Sequence, residues 1–144
     1  MHEAIETKKE QFKFPDIKAE RGEFERVAST FDVDADALMF LAEEEGKLTS
    51  LDESLWDVLE NTDSYNFGKG DWSEVENFAD EYTRDWKSLK SKMENGETLD
   101  APIIVEINGV HHLVSGNTRL MVARALGITP KVLVFEYRHD RADE

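Results

Sequence analysis

The residues best suited to chemistry in this chain of 144 residues form one short run, Ser115-Gly116-Asn117-Thr118-Arg119. Apolar residues on either side predict a strand before the run and a helix after it. The first turn of a helix leaves backbone N–H groups unpaired, and the helix dipole adds partial positive charge there. A glycine for close approach, polar side chains and an arginine therefore predict an anion-binding turn, and the anion is most simply a phosphate.

The same run also has a purely structural interpretation. Asn117 or Thr118 can cap the helix, and Arg119 can pair with a carboxylate elsewhere in the fold. Spacing alone favours neither the structural nor the anion-binding interpretation. Both therefore stand until the surroundings of the run are known.

A phosphoryl-transfer reaction at this turn would need a group that orients or deprotonates the acceptor. Ser115 and His111 are the candidate catalytic residues, because on a regular strand they share a face. His112 then lies on the opposite face, so the two adjacent histidines cannot bind one metal ion together, and no metal ligands are assigned. Three carboxylates near the preceding strand are further candidates by position alone: Glu97, Asp100 and Glu106.

Hydrophobic periodicity predicts the elements that position the run. Residues 103–107 and 110–114 are β-forming, and Asn108-Gly109 between them is the preferred pair for a two-residue hairpin turn. Apolar positions from Leu120 to Leu126 predict a helix that stops at Gly127. Residues 131–137 form a nearly continuous apolar run, which is typical of a strand buried on both faces.

Upstream of this unit the pattern predicts mainly helices. Asp34 and the capping-box pattern of residues 50–53 mark two helix starts, and Gly46 is a plausible left-handed stop. The predicted elements are a short strand at 11–14, helices at 20–31, 34–45 and 50–59, a loop at 61–71, and a long helix at 73–93.

Composition excludes several classes of function. The chain has no cysteine, which excludes disulfides, thiol nucleophiles and thiolate metal sites. No run of 18 apolar residues and no apolar leader occurs, so we expect a cytoplasmic protein without a membrane partner.

Charge is distributed unevenly along the chain. The net charge is −15, yet residues 101–144 hold five basic and five acidic residues, so residues 1–100 carry the whole excess. An acidic surface of this kind repels duplex DNA. It also suggests an alternative, non-enzymatic function, in which the protein mimics nucleic acid or regulates a basic protein partner, although solubility alone also explains such charge.

Four runs of the sequence occur in an order that resembles the ParB/sulfiredoxin superfamily. A helix ending in Asn-Gly leads to a Pro-Ile strand, a hairpin and a Gly-x-x-Arg turn. The resemblance covers about residues 75–137 and does not extend to residues 1–72. The runs are WKSLKSKMENG at 86–96, APIIV at 101–105, GVHHLVSGNTRLMVARALG at 109–127, and PKVLV at 130–134.

The resemblance implies a ParB-like domain that binds a nucleotide or a phosphate. The activities it suggests are those of a phosphotransferase or a nuclease. Gly116 and Arg119 correspond to the phosphate-contacting glycine and arginine of the superfamily, and a nucleoside triphosphate with Mg²⁺ is the implied ligand. Asn117 stands where sulfiredoxin has cysteine, which excludes thiol-dependent sulfinate reduction. Asn117-Thr118 also replaces the Glu-Arg of the segregation proteins, which argues against their clamp mechanism. Small cysteine-free proteins of this type resemble those of phages and mobile elements.

Together these observations predict an α+β fold in which a small mixed sheet, with a β-hairpin and a crossover helix, carries the anion-binding turn. Residues 1–72 are predicted to form an acidic helical region and residues 73–144 the ParB/sulfiredoxin-like domain, packed as one compact unit.

Overall fold

A computed structural model describes residues 12–52, 54–55, 59–60 and 86–138 of the chain. The fold is α+β, as the sequence predicts. Its strands are β1 (Phe12–Lys13), β2 (Lys47–Ser50), β3 (Leu59–Glu60), β4 (Leu99–Asp100), β5 (Ile103–Ile107), β6 (Val110–Ser115) and β7 (Lys131–Tyr137). Its helices in the described ranges are α1 (Arg21–Phe31), α2 (Ala35–Glu45), α3 (Trp86–Glu94) and α4 (Asn117–Leu126), with a 3-10 turn at Lys18–Glu20.

The five-stranded main sheet is mixed. Its strand order is β2-β7-β5-β6-β3, and β5 lies parallel to β7 while it pairs antiparallel with β6. β2 runs antiparallel to β7, and β3 runs parallel to β6. β1 and β4 form a separate parallel pair. Helix α4 connects β6 to β7 across β5, so its first turn follows directly from the end of β6.

Each face of the main sheet is covered by helices, which gives three layers. On one face, Ile103, Val105 and Phe135 pack with residues of α1 and α2. On the other face, Ile104 and Leu113 pack with Leu120 of α4. Alternate residues of β5 therefore enter different cores, as the period of two in a strand requires. A third cluster joins α3 and α4 to β1: Phe12, Met93, Ala101, Met121, Val122, Ala123 and Ala125.

The hairpin forms as predicted. Asn108 and Gly109 both have positive φ, at 50° and 92°, which is the backbone of a type I′ turn. The second strand extends one residue beyond the predicted end, to Ser115. The prediction for residues 131–137 is correct as to the strand, but Val134 and Glu136 are only half-buried, so the strand is not enclosed on both faces along its whole length.

The first two helices also lie where the sequence predicts them. The Asp34 side chain caps α2, since its Oδ2 accepts a hydrogen bond from the Ala37 N–H at 2.9 Å. Gly46 does not make the predicted left-handed stop: its φ and ψ are −66° and 143°, because the chain continues directly into β2. Sequence reasoning missed β2, whose four residues are all exposed and show no alternation.

The predicted helix at 50–59 is only partly correct. Ser50 ends β2 and does not cap a helix; instead Asp52 accepts hydrogen bonds from the Leu55 N–H and the Ser54 hydroxyl. These bonds from Leu55 and Ser54 lower the pKa of the Asp52 carboxyl. At the end of the predicted helix, Leu59–Glu60 is a strand. Residue 53, the other half of the predicted capping box, lies outside the described residues.

The last part of the predicted long helix is present as α3, and Gly96 ends it with a φ of 75°. The start of that helix and the predicted loop at 61–71 lie outside the described residues. Within the described ranges, strands from both predicted regions share one sheet, because β2 pairs with β7 at one end and β3 pairs with β6 at the other. No helix in those ranges has both the length and the apolar character needed to cross a membrane.

Candidate functional site

A bulge in β6 sets the direction of the candidate turn. Ser115 lies opposite Ile103 while Leu113 lies opposite Ile104, so Val114 has no residue opposite it. An extra residue of this kind bends the strand and redirects a side chain. Val114 joins the core on the α1 side, and the Ser115 hydroxyl reaches Glu20 on that same side.

A side chain of α1 supplies a hydrogen-bond donor where the bulge interrupts the pairing of β5 with β6. The Arg26 guanidinium donates hydrogen bonds to the Val114 carbonyl at 2.9 Å and to the Leu113 carbonyl at 3.5 Å, and it pairs with Glu23 at 3.0 Å. Because a buried carbonyl without a partner is costly, this contact stabilises the bulge. Arg26 therefore supports the backbone that leads into the turn.

Arg119, on the first turn of α4, is held by three acceptors. It donates to the Asp100 carbonyl at 2.5 Å and to the Ser115 Oγ at 3.3 Å, and it lies 3.8 Å from Glu20 Oε2. Its side chain is only 15% exposed. Burial lowers the pKa of Arg119, and the Glu20 and Asp100 carboxylates act in the opposite direction.

An internal carboxylate therefore lies at the predicted anion position. Ser115 is buried, and its hydroxyl donates to Glu20 Oε1 at 2.7 Å, while the other Glu20 oxygen faces Arg119. Glu20 comes from the turn before α1 and lies 95 residues away from Ser115 in the sequence. The pairing of Arg119 with a carboxylate, which the sequence left open, is thus present in the structure.

Gly116 has a structural reason to be glycine. Its φ is 101°, and a Cβ built on it would lie 2.6 Å from the Pro102 Cβ. Pro102, at the start of β5, therefore fills the space beside Gly116 on that side. The first hydrogen bond of α4 begins here, since the Gly116 carbonyl accepts from the Leu120 N–H at 2.9 Å. Asn117 begins α4 and Thr118 is half-buried, so both residues lie on its first turn.

Asp100 links the turn to the N-terminal strand. Its carboxylate pairs with the Lys13 ammonium and accepts a hydrogen bond from the Asp16 N–H at 3.2 Å. Burial by itself opposes the charged form of this carboxyl. The hydrogen bonds from Lys13 and Asp16, with the attraction of Lys13 and Arg119, outweigh that effect, so the pKa of Asp100 lies below its ordinary value.

His111 does not join the turn. The bulge places Ser115 on the α1 side, whereas His111 faces the other side with Leu113, so the expected shared face is not formed. His111 Nε2 lies 3.6 Å from Glu106 Oε1. His112 packs on Phe31 with ring centroids 4.4 Å apart, which confirms that the two histidines lie on opposite faces.

Of the three carboxylates that the sequence suggests by position, only Asp100 contacts the turn: its backbone carbonyl accepts a hydrogen bond from Arg119, and its carboxylate attracts the same guanidinium. Glu106 pairs with His111 and Glu97 is exposed on the surface. Sequence reasoning missed Glu20, Lys13 and Asp16, which reach the turn from far along the chain. No local pattern marks those residues. Among the described residues, no group of three or more acidic or histidine side chains is arranged to hold a metal ion.

No protein-family model, curated protein or solved structure matches this chain. The resemblance to the ParB/sulfiredoxin superfamily therefore stays a prediction.

Replacing Gly116 with alanine tests how much the turn depends on packing against Pro102. Gly116→Ala adds a Cβ that overlaps Pro102 and also strains a positive φ. We expect a loss of about 3 kcal/mol in the free energy of unfolding, measured by urea denaturation.

Gly109→Ala is the matched control, because Gly109 has a φ of 92° and open space around its Cβ position. It should cost only the backbone term of about 1–2 kcal/mol. Equal losses in the two variants would show that Pro102 does not restrict residue 116.

The lowered pKa of Asp100 predicts a pH dependence of stability. A depressed carboxyl pKa stabilises the fold above the ordinary value of about 4, and this contribution is lost as pH falls through the folded-state pKa. Asp100→Asn should therefore be less stable than the wild type by about 1 kcal/mol at pH 7, a modest value because the carboxylate is partly exposed.

The difference between Asp100→Asn and the wild type should shrink as pH is lowered from 5 to below the folded-state pKa, in chemical denaturation at a series of pH values. Glu97→Gln, at an exposed carboxylate, serves as the control and should change stability little at any pH. A difference for Asp100→Asn that is constant with pH would contradict the assigned contacts.

Proposed function

We propose that this protein binds a phosphate group, most simply that of a nucleoside triphosphate, at the turn between β6 and α4. Glu20 occupies the position that we assign to the phosphate, and the incoming anion displaces it. The observation that carries the proposal is the carboxylate of Glu20, which receives the Ser115 hydroxyl at 2.7 Å and faces Arg119 at 3.8 Å.

The groups that face Glu20 are the ones that suit a phosphate. A serine hydroxyl and a guanidinium both donate to phosphate oxygens, and the N-terminus of α4 favours negative charge. Because a phosphate carries more charge than a carboxylate, the same donors attract it more strongly. The turn therefore has an affinity for anions that Glu20 satisfies from within the chain.

The contact between Glu20 and Arg119 permits exchange. At 3.8 Å it is longer than a charge-assisted hydrogen bond of about 2.8 Å, so the pair is not locked in bidentate geometry. The side chains of Glu20 and Arg119 are 22% and 15% exposed, which leaves an approach from solvent. Glu20 ends a 3-10 turn and precedes α1, and its side chain makes no capping hydrogen bond to that helix, so moving the carboxylate breaks no bond of α1.

The resemblance to the ParB/sulfiredoxin superfamily supports this assignment, since Gly116 and Arg119 match its phosphate-contacting residues. Where a reaction follows binding, Ser115 is the residue placed to contact an acceptor. His111 has no part in this arrangement because it faces the other side of the sheet.

Mg²⁺ would come with the nucleotide. The carboxylates near the turn are engaged by other groups, Asp100 by Lys13 and Glu20 by Ser115, so they do not form a ready set of metal ligands. Mg²⁺ is commonly held through phosphate oxygens and water. Binding measured with and without Mg²⁺ therefore separates a metal-bridged nucleotide from one held by the turn alone.

Removing the charge of Glu20 is the direct test. Glu20→Gln eliminates the competing anion while it keeps a side chain able to meet Ser115, so we expect nucleoside triphosphates to bind three- to tenfold more tightly than to the wild type, or up to about 1.4 kcal/mol. Isothermal titration calorimetry, with and without Mg²⁺, measures the change.

Arg119→Lys should weaken the same binding at least tenfold, because lysine loses the planar fork of arginine. Arg138→Lys is the matched control: it changes an exposed arginine that pairs with Glu136 at the end of β7, away from the proposed contacts, and it should leave affinity unchanged. Circular dichroism establishes that each variant is folded. The proposal is wrong if folded wild type and Glu20→Gln both fail to bind, or if Arg119→Lys binds as tightly as the wild type.

A further inference from the structure

Strand β2 is the outermost strand at one end of the main sheet as the structure describes it. Its partner is β7, in the register Leu48 opposite Leu133 and Thr49 opposite Val132. The Leu51 N–H continues this ladder with a hydrogen bond to the Pro130 carbonyl at 2.9 Å. In an antiparallel pair the hydrogen-bonded positions alternate, so Lys47 and Thr49 also bond to β7.

The alternation directs the intervening backbone groups outward. The Leu48 N–H and carbonyl and the Ser50 N–H point away from β7, while the Ser50 carbonyl accepts from the Asp52 N–H at 3.0 Å. All four residues of β2 are exposed. An edge with outward backbone groups is a template for another strand.

A cavity of about 630 Å³ opens beside this edge. Lys47 and Thr49 line it from β2, and Val134 and Glu136 line it from β7. These residues lie on the same face of the sheet as α4. Thr49 lies opposite Val132, and Val132 packs in the core cluster that contains Leu120 of α4. Side chains on one side of a strand added to β2 would therefore point toward the cavity.

The cavity is strongly acidic. Among the described residues that line it, Lys47 supplies one ammonium, and four supply carboxylates: Glu44, Glu45, Glu106 and Glu136. Glu106 and Glu136 lie directly opposite each other on the parallel strands β5 and β7. Arg138 pairs with Glu136 at 2.6 Å and His111 lies near Glu106, yet the lining stays negative. Like charges at opposite positions of a sheet repel, so a cation between them is favoured.

We propose that β2 is the docking edge for an extended, basic segment of a partner protein. The segment adds a strand to the sheet through the outward groups of Leu48 and Ser50. Its lysine or arginine side chains, at alternate positions, reach the carboxylates of the cavity. Backbone pairing supplies the affinity of this contact, and the charge of the cavity selects a basic partner.

The charge also decides against two other occupants. A second copy of this chain would bring its own β2 and its own Glu44 and Glu45 to the edge, and these acidic groups would repel each other. Nucleic acid phosphates would meet the same carboxylates. The proposal concerns a surface separate from the β6–α4 turn and does not depend on phosphate binding there.

Synthetic peptides test the proposal on the full chain. The first is a peptide of about eight residues that alternates lysine and threonine, and the second replaces lysine with glutamate. A third repeats the basic peptide with alternate backbone nitrogens methylated, which removes its donors. We expect the basic peptide alone to bind in calorimetry, with an affinity that falls as salt is raised.

Two variants locate the binding. Leu48→Pro removes only an N–H that points away from β7, so the sheet should be retained while peptide affinity falls at least tenfold. Glu44→Lys combined with Glu45→Lys should also weaken binding at least tenfold. Glu94→Lys combined with Glu97→Lys is the control of equal charge change at remote exposed sites, and it should have little effect.

Three outcomes would overturn the proposal. One is that the basic peptide does not bind, or binds no better than the acidic one. Another is that folded Leu48→Pro binds it as tightly as the wild type does. The third is that sedimentation shows the chain self-associating in a manner that Leu48→Pro abolishes, which would assign the edge to a second copy.

Discussion

The guanidinium of Arg119 is largely removed from water and must find acceptors within the fold. It finds them on three separate segments: the Asp100 carbonyl before β5, the Ser115 hydroxyl at the end of β6, and the Glu20 carboxylate before α1. Removing one partner of a buried charged group leaves the other uncompensated, at a cost of several kcal/mol. The N-terminal segment meets the sheet at this point, where the pairing of β1 with β4 and the contacts of Lys13 and Asp16 with Asp100 also hold it.

The bulge in β6 makes that junction possible. Without it, Ser115 would alternate with Val114 and face α4, away from Glu20. The additional residue, Val114, has no partner on β5, and Arg26 compensates by donating a hydrogen bond to the Val114 carbonyl. The glycine that follows then turns the chain into α4 against Pro102. The bulge is therefore what allows the Ser115 hydroxyl to contact both Glu20 and Arg119.

Features determined by neighbouring residues were predictable from the sequence, and features determined by distant ones were not. The Asn108-Gly109 pair by itself favours a tight hairpin turn, and Asp34 caps the helix that directly follows it, so the structure confirms both predictions. The short strand β2 has no alternation and exists because β7 offers it a partner. Glu20 reaches Ser115 only after folding, so no local pattern predicts the contact. The sequence predicts a glycine at 116 for close approach of an anion, but it does not reveal that Pro102 also leaves no room for a Cβ there.

The location of the charges connects the two surfaces of the molecule. A buried ion pair such as Glu20 with Arg119 contributes little net stability, because desolvation of both groups consumes most of the attraction. Packing alone would be served as well by apolar side chains of similar size. The serine hydroxyl and guanidinium at the start of α4, together with the Glu20 carboxylate that faces them, fit our proposal that this carboxylate is exchanged for a phosphate. At β2 the excess carboxylates favour a cationic partner, which is the opposite of the anion that we propose for the turn.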